Sequence, residues 1–285
     1  MNMTTLIKRH PVLYYFILTF VISWSGVFIL AFYTGIPATS SQFEKIGPIA
    51  FLPFLFGPTI AGLILTGFIS GKTGFHDLFS RLIKWRVSIR WYALAFLLLP
   101  ILAGGILLVL SQFSEVYLPD IITTENKLNL ILKGVLTGIF GVLLEELGWT
   151  GFAIPKLRSH HSIFSTGLIV GALWGAWHFL PVFWGCGDAT GKFDNQLFLP
   201  GFFFHYAGLI PFRIILVWLY DRTKSILLPW IMHATLTAGT FFIFNISNTG
   251  HPLFIYYLIL AIALWIVVIV VAISNGKELF QKIFN

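Results

Sequence analysis

The sequence is poor in the residues that keep a protein in water. Charged side chains make up 10% of its 285 residues, where a soluble domain carries about 25%. That shortage excludes a soluble globular domain, and with it the usual conversion of length into a domain count. Cysteine occurs once, at Cys186, which excludes an intrachain disulfide and a cysteine-built metal site. As a nucleophile Cys186 has no evident base beside it, lying among Trp184, Gly185 and Gly187. Long polar segments, repeats and low-complexity tracts are also lacking, so residues 1–285 read as one integral membrane domain. The net charge of +7 would point a soluble protein toward nucleic acid. Here the basic residues stand between apolar runs, and no nucleic-acid partner is expected.

The chain has apolar runs instead. A membrane-spanning helix needs about 20 mostly apolar residues, and eight stretches qualify: 12–33, 49–69, 91–111, 129–152, 162–184, 200–220, 226–245 and 252–274. They predict an all-α, polytopic membrane helix bundle of about eight transmembrane helices. The first run follows Lys8 and Arg9 and exceeds the roughly 7–15 residues of a signal-peptide core, so it reads as a retained span. Trp91 and Tyr92 open the third run, and Phe254, Tyr256 and Tyr257 the eighth, as aromatics do at a membrane interface.

With eight spans, one side of the membrane holds Lys8, Arg9, Lys72, Arg81, Lys84, Arg86, Arg90, Lys156, Arg158, Arg222, Lys224, Lys277 and Lys282. The other holds Lys45, Lys127 and Lys192. The basic side is the cytoplasmic one, which predicts both termini in the cytoplasm. Membrane lipid is the first expected partner: the basic amphipathic segment Ser70–Arg90 should lie on the cytoplasmic leaflet against anionic headgroups.

Two acids interrupt the fourth run, in Leu144-Glu145-Glu146-Leu147. An acid at the bilayer centre costs roughly 2.5–3.5 kcal/mol, against about 0.3–0.6 returned by each Leu or Ile. The pair must therefore face protein or a water-filled cavity, and an acid at such depth is functional by default. Two adjacent carboxylates in a low dielectric do not readily carry two charges at once, so their titration belongs to the pair. That makes them an acid/base device. The plainer alternative is a helix-end pair reaching the interface near Lys156 and Arg158.

Glycine placement sharpens the reading. Gly134, Gly138 and Gly141 fall near the face of Glu145, while Gly167, Gly171 and Gly175 form a stripe in the fifth run that His178 extends. Small residues let membrane helices approach closely, so a carboxylate–imidazole contact between Glu145 and His178 is expected. In the seventh run His233, Thr237 and Thr240 share a face. Helical rise places His178 deeper from the basic side than Glu145 and His233, unless the helices are staggered or the fourth runs beyond Phe152. Arg213 in the sixth run could neutralise a glutamate, hold a substrate carboxylate or snorkel. His10, His76, His160, His161, His205 and His251 read as surface or interfacial residues.

These residues resemble the CPBP family of intramembrane peptidases, formerly the Abi family, which groups type II CAAX prenyl endopeptidases with bacteriocin-processing and immunity proteins. The family pattern has two glutamates followed by arginine, an aromatic with histidine four residues on, and a histidine with asparagine or aspartate four residues on. Glu145 and Glu146 match the first element, Trp174 and His178 the second, and His233 the third. The motif-bearing core spans about 128–245. Gly57-Pro58, Arg81-Leu82, Trp85-Arg86-Val87, Trp91-Tyr92 and Trp218-Leu219-Tyr220 add to the likeness with bacterial members. Thr150 stands where the pattern has arginine, and Thr237 where it has asparagine or aspartate.

The resemblance implies an intramembrane endopeptidase in a cell membrane, of bacterial plasma-membrane type, acting on a membrane-associated peptide or protein. A glutamate, with Glu145 preferred, and His178 would activate water. His233 and Thr237 would stabilise the oxyanion. This route needs no cofactor. A zinc-dependent variant would use Glu145, Glu146, His178 and His233 as ligands. Two other classes fit the same sequence: a non-catalytic bacteriocin-immunity or scaffold protein, favoured by the two threonines, and a small proton-coupled carrier, against which the lack of an inverted repeat argues.

Overall fold

The computed structural model describes residues 2–247 and 249–281; Lys282, counted above on the basic side, lies outside them. Among the described residues all regular structure is helical, with an isolated bridge between Gly187 and Phe193 and no strand. After a short leading helix, Met3–Arg9, eight longer helices follow: α1 Pro11–Thr34, α2 Ser40–Leu82, α3 Ile89–Leu110, α4 Lys127–Arg158, α5 Ile163–Trp184, α6 Asn195–Thr223, α7 Leu227–Ile243 and α8 His251–Leu279, with two short turns of helix, Glu115–Tyr117 and Asp120–Thr123, between α3 and α4. Seven are long and apolar enough to cross a membrane. The predicted seventh span, α7, is a shorter apolar helix of 17 residues, at the low end of what a bilayer needs.

Local chemistry explains the helix starts. Pro11 opens α1, where a missing N–H is no loss. A Thr39–Gln42 capping box opens α2, and Ser162 caps Ser165 at the head of α5. The outer surface is apolar, as lipid requires: Leu13, Ile17 and Val21 on α1 and Ile262, Ile266 and Ile273 on α8 are exposed. The core is aromatic, with Trp149, Trp174, Trp177 and Trp184 all buried.

Several predicted boundaries shift, among them the starts of α2, at Ser40 instead of residue 49, and of α6, at Asn195 instead of residue 200. The segment Ser70–Arg90 is partly helical. Helix continues to Leu82, broken at Gly71, whose φ of 56° suits glycine. This piece docks on the bundle: Arg81 donates to the Gly151 carbonyl and the Tyr220 hydroxyl, both at 3.0 Å, and Lys84 to the Thr223 carbonyl at 2.9 Å. Arg86 lies over the Trp85 ring and Arg90 over the Trp91 ring. With the Arg158–Asp221 and Arg222–Glu278 pairs, the basic segments gather at one end of the molecule. The fourth helix also runs six residues past Phe152, to Arg158, which sets Glu145 deeper from the basic end than the sequence placed it.

Four wide π-helical turns interrupt the helices, at Thr137–Gly141, Trp149–Ala153, Phe204–Gly208 and Gly239–Ile243. Each adds a residue to a turn and rotates the side chains beyond it, and such turns are frequent at functional sites. The two in α4 bracket Glu145 and Glu146; those in α6 and α7 lie within a few turns of Arg213 and His233.

Candidate active site

Glu145 and Glu146 sit on a single regular stretch of α4, Val142–Gly148, at a place where neighbouring helices come very close. A Cβ on Gly138 would stand 2.7 Å from the Ala234 carbonyl of α7, and one on Gly62 of α2 would stand 3.3 Å from the Gly148 Cα. Thr59 of α2 donates its hydroxyl to the Leu144 carbonyl. The glutamates are thus enclosed by protein, with relative exposures of 5% and 0%, as the cost of a carboxylate in lipid demands.

Their environments differ. Glu146 is saturated. Its Oε1 meets Arg213 Nη1 at 2.8 Å and His233 Nδ1 at 2.9 Å. Its Oε2 accepts from Arg213 Nη1 at 3.0 Å and from the Thr150 hydroxyl. Glu145 is served on one oxygen only. Its Oε2 accepts from Trp174 Nε1 at 2.8 Å and Trp149 Nε1 at 3.3 Å. Its Oε1 takes no hydrogen bond among the described residues and is not among the sealed polar atoms that lack a partner.

Arg213 neutralises a glutamate, which settles the three roles left open for it. Its guanidinium also lies 4.0 Å over the Trp174 ring, a cation–π contact that is strong when desolvated. The positive charge missing at position 150 is thereby delivered from α6, while Thr150 adds a hydroxyl donor to the same carboxylate.

The expected Glu145–His178 contact is not made. The carboxylate–imidazole pair present is Glu146–His233. The reason lies in the glycine stripe of α5, which packs on α6 rather than α4: a Cβ on Gly171 would stand 2.9 Å from the Ile210 Cα, and one on Gly175 would run into the His205 carbonyl. His178 continues that stripe, so it faces α6. Trp174, on the adjoining face, reaches Glu145 in its place and links the two, its ring 5.7 Å from that of His178 and 4.8 Å from that of His233. The His178 Nδ1 is hydrogen-bonded to the Trp174 carbonyl at 2.9 Å. Against a carbonyl this nitrogen must carry the proton, which leaves Nε2 as an acceptor.

Thr237 lies one turn beyond His233, half-buried, and its hydroxyl makes no hydrogen bond among the described residues. His10, His76, His160 and His251 are exposed and His161 is half-buried, in keeping with a surface reading. His205 is the exception. It is half-buried and its ring lies 4.3 Å from that of His178. Its sequence signal is slight: a lone polar residue in the aromatic run Phe202-Phe203-Phe204-His205-Tyr206.

The four zinc-ligand candidates do not fit a metal site. The Arg213 guanidinium engages both Glu146 oxygens, which sets a fixed cation where a metal ion would bind, and among the described residues no three His, Cys, Asp or Glu side chains converge as a ligand set.

Comparison with known proteins meets this geometry. Residues 127–239, the segment carrying both glutamates and both histidines, match the family model described as type II CAAX prenyl endopeptidase Rce1-like. A CAAX prenyl protease 2 from Methanococcus maripaludis is 26% identical over 238 residues, covering 79% of this chain and 82% of the relative. The chain is a multi-pass membrane protein that resembles this peptidase family.

Proposed function

We propose that the protein is an intramembrane endopeptidase that hydrolyses a peptide bond of a membrane-associated peptide or protein without a metal. The observation that carries this reading is the asymmetry of the two acids: Glu146 is fully bonded by Arg213, His233 and Thr150, while Glu145 keeps one oxygen free.

In this reading Glu145 is the base. Its Oε1 and the free Nε2 of His178 hold a water, and Glu145 takes its proton as the oxygen attacks the carbonyl. The proton then passes to the leaving amine. His233 and Thr237 face the developing oxyanion. With Nδ1 on Glu146, the His233 ring is held with Nε2 turned to that oxyanion. Glu146 is thus a positioning group, held by Arg213. The basic end of the bundle faces the cytoplasm of the cell, so substrates approach from the membrane plane or the cytoplasmic surface.

The test uses purified full-length protein in nanodiscs with a library of membrane peptides, each with and without a prenyl group. Cleavage that falls about 100-fold or more in Glu145→Gln and in His178→Ala, and that survives removal of bound metal by chelation, supports the reading. Wild-type protein that cleaves no peptide while binding some of them favours a scaffold or immunity role. Ion-driven uptake into liposomes would instead indicate a carrier. The prenylated and unmodified arms decide whether cleavage requires the prenyl group that the name of the Methanococcus maripaludis relative includes.

A further inference from the structure

We infer that His205 is a positioning residue for His178, an inference that rests on the proposed peptidase reading. The two imidazoles lie against each other at a tilt, 4.3 Å between centroids and 31° apart in plane. Each is anchored identically, its Nδ1 hydrogen-bonded to the carbonyl four residues earlier on its own helix: His178 to Trp174 at 2.9 Å, His205 to Gly201 at 2.6 Å. Both rings therefore carry the proton on Nδ1 and present an unprotonated Nε2.

The juxtaposition is built by the backbone. Gly175 has no side chain, so α5 can lie against the His205 carbonyl. His205 lies in the wide turn Phe204–Gly208. In an unbroken α-helix, residues 205 and 213 would point about 80° apart; one extra residue in the turn brings them to within about 20°. His205 and Arg213 thus both face α5, one beside His178 and the other beside Trp174.

The other sides of the His178 ring are closed by Trp177, edge-on at 4.7 Å, and by Trp174 and Phe54, edge-on at 5.7 and 6.1 Å. A phenylalanine at 205 would complete that aromatic enclosure without the desolvation cost of a polar ring. The imidazole adds a second polar ring against the face of His178. Its role is to hold the His178 ring in one orientation.

The experiment compares wild type, His205→Phe and His205→Gln as full-length protein in nanodiscs, labelled with 15N-histidine. The His178 signals are assigned with His178→Gln. Expected in His205→Phe are a shift or broadening of the His178 Nε2 resonance and a kcat lower by roughly 10- to 100-fold at unchanged KM and thermal stability. His205→Gln, which restores a polar group, should recover part of both, and it serves alone if the phenylalanine variant does not fold. Unchanged His178 resonances and unchanged kcat in the folded variants overturn the inference. If wild type cleaves no peptide yet the His178 resonance responds to His205→Phe, the positioning role stands and the peptidase reading fails.

Discussion

Arg213 on α6 holds both carboxylate oxygens of Glu146 on α4 through a single nitrogen, at 2.8 and 3.0 Å, with both side chains fully buried. Among the described residues Arg213 pairs with no other acid, and Glu146 with no other basic side chain but His233. Arg213→Met should therefore destabilise the protein by about 3–5 kcal/mol, because it strands a buried carboxylate. Adding Glu146→Gln to that variant should recover most of the loss, since the uncompensated charge is then gone. Thermal unfolding in detergent, read for both single variants and the double variant, checks the coupling.

Gly138 lets α4 lie against the Ala234 carbonyl, one residue from His233. Gly138→Ala places a Cβ within 2.7 Å of that backbone oxygen, which no side-chain rotation relieves. A loss of about 1–3 kcal/mol is expected, together with a weaker Glu146–His233 contact. The histidine resonance of His233 should move in this variant, while a Gly105→Ala control, where nothing lies within 4 Å, leaves it in place.

Away from the bilayer, Asp188 accepts from the Thr190 hydroxyl and amide, both at 2.7 Å, and from the Lys192 amide at 3.0 Å. These bonds, the Thr190 hydroxyl first, hold its carboxyl below the usual range. A group depressed on folding contributes order above its unfolded value and loses it as pH falls through the folded one. The loop Gly185–Asp194 should thus stay ordered at neutral pH and loosen only in strong acid. Amide exchange at Thr190 and Lys192 across an acid titration reports it, and Asp188→Asn should show the loosening at neutral pH.

Which end faces the cytoplasm is open to direct labelling. Cys186 is buried, at 1% exposure, so a cysteine-free background is made by Cys186→Ala. In intact cells an impermeant maleimide should label Lys192→Cys and spare Lys72→Cys; the reverse pattern inverts the topology.

Much of the site is legible from residue cost alone. Acids and histidines within apolar runs identify themselves, because few other reasons keep them there, and Glu145, Glu146, His178 and His233 stand out on that ground. Their pairing does not. The Gly167-Gly171-Gly175 stripe announces that α5 packs closely against something, but a stripe does not name its neighbour, and the neighbour is α6. The Arg213–Glu146 pair joins positions 67 apart in sequence, a separation that no periodicity reveals. The wide turns are hidden for another reason: a single added residue leaves composition unchanged yet rotates every side chain after it. His205 therefore reads as peripheral in the sequence, although the turn at Phe204–Gly208 carries it to His178. Helix ends are obscured likewise, with α4 continuing to Arg158 and α2 bending at Gly71 rather than stopping.

The brevity of α7 has a consequence for its surroundings. Seventeen residues rise only about 25 Å, against a hydrocarbon layer of about 30 Å. A bilayer meets such a shortfall by thinning, by flanking side chains reaching outward, or by helix association. No residue of Leu227–Ile243 is exposed, so the shortfall falls against neighbouring helices and not against lipid.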